Sequence, residues 1–134
     1  MRVFLDTNVL VSAFATRGLC ADLLEVVLLE HDLIVGGNVV RELTKALRQK
    51  VRLPAARVAE IVEFVKGEAS LVVDRTGAAL IDADPEDALV VGEALAGDAE
   101  VFVKGDAALL RLPAIPNLKI ASPRQFWELL HDRT

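Results

Sequence analysis

Short apolar, β-prone runs alternate with longer stretches of helical periodicity along almost the whole chain. Arg2-Val-Phe-Leu5, Leu33-Ile-Val35, Ser70 to Val73, Val101-Phe-Val103 and Leu118-Lys-Ile120 read as strands, the last as an edge strand. Between them, Val9 to Ala15 and Ala21 to His31 read as helices, with Leu23, Leu24, Val27 and Leu28 on one stripe of the second. Gly36-Gly37 stops the second strand, and Asn38 is expected to cap a helix running to about Val51. Pro54 suits the start of another helix, in which Val58, Ile61, Val62 and Val65 keep the i, i+3, i+4, i+7 spacing. Asp84-Pro85-Glu86-Asp87 places a capping acid, a first-turn proline and further acids ahead of a helix ending at Ala96 and Gly97. Ser122-Pro123 opens a last helix with Phe126, Leu129 and Leu130 facing inward. Strands separated by helices pair in parallel through right-handed crossovers, so the chain reads as a single α/β domain over residues 1–134.

Composition removes several function classes. At 134 residues the chain can bury roughly two-thirds of its extended surface in one core. Hydrophobic residues are 53% and charged residues 26%, a globular balance. The single cysteine, Cys20, excludes an internal disulfide framework and fits a reducing, cytoplasmic setting. No apolar run approaches about 18 residues, so no membrane span is expected, and Asp6 and Asn8 interrupt the apolar N-terminus where a signal peptide would be uniform. The absence of tyrosine argues against a base-stacking platform, and a net charge of −5 opposes non-specific nucleic-acid binding through bulk charge.

In open parallel sheets ligands bind beyond the carboxyl ends of the strands. Asp6 ends the first strand, Asp106 follows the fourth, Glu42 lies near the start of the helix after the second, and Asp87 lies in the first turn of the helix after the third. All four acids are therefore assigned to one edge. Gathered carboxylates repel unless cations compensate, and hard divalent ions such as Mg²⁺ or Mn²⁺ are the natural partners of oxygen donors. His31 and His131 do not map to this edge, which disfavours a zinc site. Taken singly, each acid has an ordinary explanation: Asp6 as a helix cap, Asp87 as a dipole-stabilising residue, Glu42 as a surface acid, Asp106 as a turn residue. A local run of cations, Arg41, Lys45, Arg48, Lys50, Arg52 and Arg57, holds Glu42 as its only acid. It reads as a track for a phosphate backbone, as a docking strip for an acidic partner segment, or as a solvated helix face.

The same residues resemble a family. Val3-Phe-Leu-Asp-Thr-Asn-Val-Leu-Val-Ser-Ala13 is similar to the opening motif of the PIN domain, in particular of the VapC-like toxin components of toxin–antitoxin pairs. Val40-Arg-Glu42-Leu43, Asp84-Pro-Glu-Asp87 and Val101-Phe-Val-Lys-Gly-Asp106 resemble its later motifs in order and spacing. The resemblance implies a three-layer α/β/α fold with a central parallel sheet of four to five strands. It implies a metal-dependent ribonuclease leaving 5′-phosphate and 3′-hydroxyl ends, with Asp6, Glu42, Asp87 and Asp106 as catalytic metal ligands for one or two Mg²⁺ or Mn²⁺ ions. It further implies Asn8, Ser12 and Asp84 as supporting residues, a protein antitoxin, and a homodimer. Arg41, Lys45, Arg48, Lys50 and Lys104 are the RNA-binding candidates. Two positions depart from the family pattern. Lys104 stands where Thr or Ser is usual, and Ala108 where a further acid often sits. Lys104 is expected either to contact a phosphate or to be a solvated strand-end lysine. The alternative function is a PIN-like module that binds RNA or a partner with little or no cleavage. A haloacid-dehalogenase-type phosphatase needs a second Asp where Asn8 stands, and a phospho-receiver needs an acid where Thr7 stands.

Overall fold

A computed structural model describes residues 1–74, 77–105 and 111–132 of the chain. Five parallel strands form one sheet: β1 (Arg2–Leu5), β2 (Asp32–Gly36), β3 (Leu71–Val73), β4 (Val101–Val103) and β5 (Lys119–Ala121), in the order β3-β2-β1-β4-β5. Six helices are described: α1 (Thr7–Ala15), α2 (Leu19–Glu30), α3 (Gly37–Gln49), α4 (Ala55–Glu68), α5 (Pro85–Ala96) and α6 (Pro123–His131). They flank the sheet in a three-layer α/β/α arrangement, as expected.

The central strands are buried along their length because both faces carry helices, which is why they read as unbroken apolar runs. Val3, Phe4, Leu5, Leu33, Ile34, Val35, Val101, Phe102 and Val103 form the sheet's part of the core. Leu10, Leu23, Val39, Leu43, Leu47, Val91 and Phe126 close over it from the helices. The rings of Phe4 and Phe102 stack across β1 and β4 at 5.3 Å.

Strand order reverses direction at β1: the chain first builds outward through β2 and β3, then returns to β1's other side for β4 and β5. The crevice between the carboxyl ends of β1 and β4 is thus the switch point at which such sheets place ligands.

Most helix ends follow local sequence. Asp84 caps α5, its carboxylate accepting from the Glu86 N–H at 2.8 Å, with Pro85 in the first position. Ser122 caps α6 in a reciprocal box: its hydroxyl accepts from the Gln125 N–H at 3.1 Å, and the Gln125 side chain accepts from the Ser122 N–H at 2.9 Å. Helix α3 departs from the expectation. Asn38 is its second residue and makes no cap; Gly36 holds the cap position. The anion at this end comes from α5, where Glu93 accepts the Asn38 N–H at 2.9 Å. The space for that carboxylate exists because residue 36 has no side chain: a Cβ there would lie 2.2 Å from Glu93 Oε1.

Ser122→Ala removes half of the α6 box. It is expected to cost about 1 kcal/mol in chemical denaturation. An unchanged midpoint would show that the box contributes nothing.

Candidate active site

Parallel register brings the first charged pair together. Leu5 lies opposite Val103, and the ladder continues one step further, with the Asp6 N–H donating to the Val103 carbonyl at 3.0 Å. The next residues along the two strands are Asp6 and Lys104. Side chains alternate between faces with a period of two, so Asp6 follows Phe4 and Lys104 follows Phe102 on a common face. The stacked phenylalanines form an apolar floor, and the Lys104 ammonium lies 5.9 Å above the centre of the Phe102 ring.

Lys104 Nζ donates to Asp6 Oδ2 at 3.1 Å and to Asp87 Oδ1 at 3.1 Å. Asp87 arrives from the first turn of α5, where Pro85 and the Asp84 cap fix the helix start. Lys104 is only 6% exposed and Asp6 7% exposed. The reading of Lys104 as a solvated strand-end lysine is therefore corrected: it is buried at the base of the cleft, with its charge directed to two carboxylates. Asp6 stands at the cap position of α1 but makes no side-chain capping bond. Its carboxylate turns to Lys104 instead, so simple helix capping does not account for it.

A cleft of about 400 Å³ opens over this triad, lined among others by Asn8, Glu42, Lys45, Lys50 and Arg111. Glu42, on α3, faces the same cleft as Asp6 and Asp87, is exposed, and makes no ion pair among the described residues. Three of the four expected acids thus share one cleft. Asp106 lies outside the described residues, and so does Ala108.

The supporting residues separate. Asn8 lines the acid cleft and also borders a neighbouring hollow. Ser12 does not line the cleft; it lines that hollow with Cys20 and Arg124. There it hydrogen-bonds the Cys20 thiol, whose pKa is raised above its ordinary value by burial despite that bond. Asp84 acts as the α5 cap. The cations separate as well. Lys45 and Lys50 line the acid cleft, while Arg41 and Arg48 line an adjacent hollow along α3 that Lys45 also borders. Arg41 donates to the Asn38 side chain, and Arg57, on α4, pairs with Glu60. His31 contacts the N-terminal amine at the far end of the sheet, and His131 stacks on Trp127, so neither reaches the cleft.

Two residues of this region escape a reading of the sequence. Arg111 lines the cleft, and its position shortly after β4 is the available signal, since that segment lies at the carboxyl edge. Glu93 carries no local signal. It is 1% exposed, and burial pushes its carboxyl pKa up from the ordinary 4.5, while the Asn38, Gly37 and Val39 N–H groups and the nearby Arg41 charge act in the opposite direction. Its Oε1 is buried without a hydrogen-bond partner.

Asp6, Glu42 and Asp87 offer hard oxygen donors, the kind Mg²⁺ and Mn²⁺ take. No group of three or more His, Cys, Asp or Glu converges as a ready metal cage among the described residues, and Lys104 sits between two of the donors. The donor set therefore fits a divalent ion in kind, with one cationic position already filled by the chain.

The acid-lined cleft thus lies at the switch point of an open parallel sheet, where such α/β folds bind their ligands. A PIN domain model matches residues 2–108, and the chain belongs to the PIN domain family. No curated protein matches it. Its fold is similar to that in the crystal structure of VapBC2 from Rickettsia felis bound to a DNA fragment from their promoter. The TM-score is 0.66 at 15% identity, covering 91% of this chain and 98% of that one.

Because the folded pKa of Glu93 is raised, its stabilising share is complete below about pH 4.5 and is lost as pH rises through the shifted value. Glu93→Gln keeps an acceptor for the α3 N–H groups and cannot ionise. The stability of the natural protein relative to this variant is expected to fall, in denaturation midpoints, as pH rises above about 4.5. A difference independent of pH would contradict the assignment.

Proposed function

We propose that this protein is a metal-dependent ribonuclease and the toxin component of a toxin–antitoxin pair. The observation that carries the reading is the cleft itself: Asp6, Asp87 and Glu42 share it with Lys45, Lys50 and Arg111. Acids gathered at the floor of a cleft bordered by cations suit a phosphodiester, whose charge needs neutralising while water attacks phosphorus.

Asp6, Asp87 and Glu42 are the residues that would hold Mg²⁺ or Mn²⁺, together with the expected Asp106. A bound divalent ion supplies an acidified water and charge neutralisation at the phosphate. The remaining work falls to the chain. Lys45, Lys50 and Arg111 hold the RNA backbone against the cleft. Glu42 has no competing ion pair among the described residues, and it accepts a hydrogen bond from the attacking water and orients it. Attack on phosphorus forms one P–O bond and breaks the bond to the 3′ oxygen, giving a 5′-phosphate and a 3′-hydroxyl. Lys104 balances the charge of Asp6 and Asp87 and keeps both carboxylates at the floor.

The toxin role is supported by family membership and by the likeness to VapBC2, a structure described as bound to a DNA fragment from their promoter. A protein antitoxin, a homodimer and a cytoplasmic location belong to the same proposal. The described helices include none long and apolar enough to cross a membrane. One observation favours a second reading, a PIN domain that binds RNA or a partner without cutting it: the ammonium held between Asp6 and Asp87.

Glu42→Gln separates the two readings with little risk to the fold, since Glu42 is exposed. Cleavage of RNA with Mn²⁺ is expected to fall by about 10²-fold or more, with the melting temperature unchanged. Equal rates in the two proteins would remove Glu42 from the mechanism, and the absence of cleavage by the natural protein would leave the binding module. Replacing Lys45 and Lys50 by Glu is expected to weaken RNA binding at low salt. It is also expected to flatten the dependence of log affinity on log salt by about one for each phosphate that no longer meets a lysine. Unchanged affinity would make these two lysines a solvated helix face.

A further inference from the structure

We infer that the Lys104 ammonium is a resident cation of the site. It fills the position between Asp6 and Asp87, so that these two carboxylates are partly compensated in the metal-free protein and the cleft takes at most one divalent ion. The inference rests on the metal-dependent reading above and specifies how many ions that site accepts.

Three observations carry it. Lys104 Nζ is equidistant from one oxygen of each carboxylate, at 3.1 Å and 3.1 Å. The ammonium lies at the base of the cleft, with Lys104 only 6% exposed and the Phe102 ring 5.9 Å from Nζ. The strand register also fixes its place: the ladder that pairs Leu5 with Val103 delivers residue 104 beside residue 6. A lysine is a compact charge on a flexible stem and has no acceptor, so its contacts here are purely those a cation makes. A divalent ion bridging the same two oxygens would meet that charge at close range in a poorly solvated position, where Coulomb repulsion is strong. Such an ion either displaces Nζ or settles on other oxygens, those of Glu42 included. The two carboxylates and the ammonium together retain one negative charge, so the position between Asp6 and Asp87 is already held by a cation, and of one or two divalent ions only one is left a place.

Mn²⁺ titration by calorimetry, with bound ion counted by electron paramagnetic resonance, tests this on the natural protein, Lys104→Met and Lys104→Gln. The glutamine variant keeps hydrogen-bond donors toward the carboxylates and guards against a methionine variant that fails to fold. The natural protein is expected to bind no more than one Mn²⁺ per chain. The variants are expected to bind Mn²⁺ at least about 10-fold more tightly, to melt lower than the natural protein in EDTA, and to gain more melting temperature from Mn²⁺. Two ions bound to the natural protein overturn the inference whatever the variants do. Variant affinity equal to or weaker than that of a natural protein binding one ion overturns it while leaving the ribonuclease reading intact. No Mn²⁺ binding by any of the three proteins overturns both. Binding by the variants alone supports the resident cation and removes metal-dependent catalysis from the natural protein.

Discussion

The ion triad of Asp6, Lys104 and Asp87 ties together parts of the chain that are otherwise far apart. It joins the ends of β1 and β4 to the start of α5 at the point where the sheet reverses its winding. Buried ion pairs are poor devices for stability alone, since desolvation offsets most of the attraction and apolar replacements often do as well. Removing one partner is another matter: an uncompensated buried charge typically costs about 3–5 kcal/mol. The triad therefore behaves as a unit whose members depend on one another, and its presence under a cleft points to chemistry more than to packing.

A second carboxylate organises the cleft wall. Glu93 reaches from α5 to the exposed N–H groups of α3, a position where the helix dipole favours an anion. That contact sets α3 against α5, and with it sets Glu42 and Lys45 across from Asp87. Gly36 makes the approach possible, because a side chain there would overlap the Glu93 carboxylate. Two carboxylates thus start the two helices that line the cleft, by different routes. Asp84 starts α5 from within its own sequence. Glu93 starts α3 from a distance of 55 residues along the chain.

This contrast shows how far sequence carries. Asp84-Pro85 and Ser122-Pro123 with Gln125 are local devices, and both helices begin where those residues predict. The alternation of strands and helices, with the carboxyl-edge rule, is enough to send Asp6, Glu42 and Asp87 to one cleft. Asn38 has the chemistry of a cap, as Ser, Thr and Asp do; the cap comes instead from Glu93, and no local pattern announces a partner on another helix. Lys104 departs from its sequence reading for a related reason. A lysine at a strand end is usually solvated, and only the adjacency of β1 and β4 shows that this one is enclosed between two acids. The family motif puts Ser12 beside Asp6, yet helical geometry turns it toward Cys20 and a separate hollow. The position of Asp106, the fourth acid, is outside the described residues.

The ammonium of Lys104 sits between the carboxylates of Asp6 and Asp87 when no metal is supplied. A crystal structure of the protein grown in EDTA at neutral pH tests it directly. Lys104 Nζ is expected within about 3 Å of an oxygen of each aspartate, on the Phe102 side of the cleft. A Lys104 side chain extended into solvent, with the two aspartates apart or paired with other groups, would contradict it.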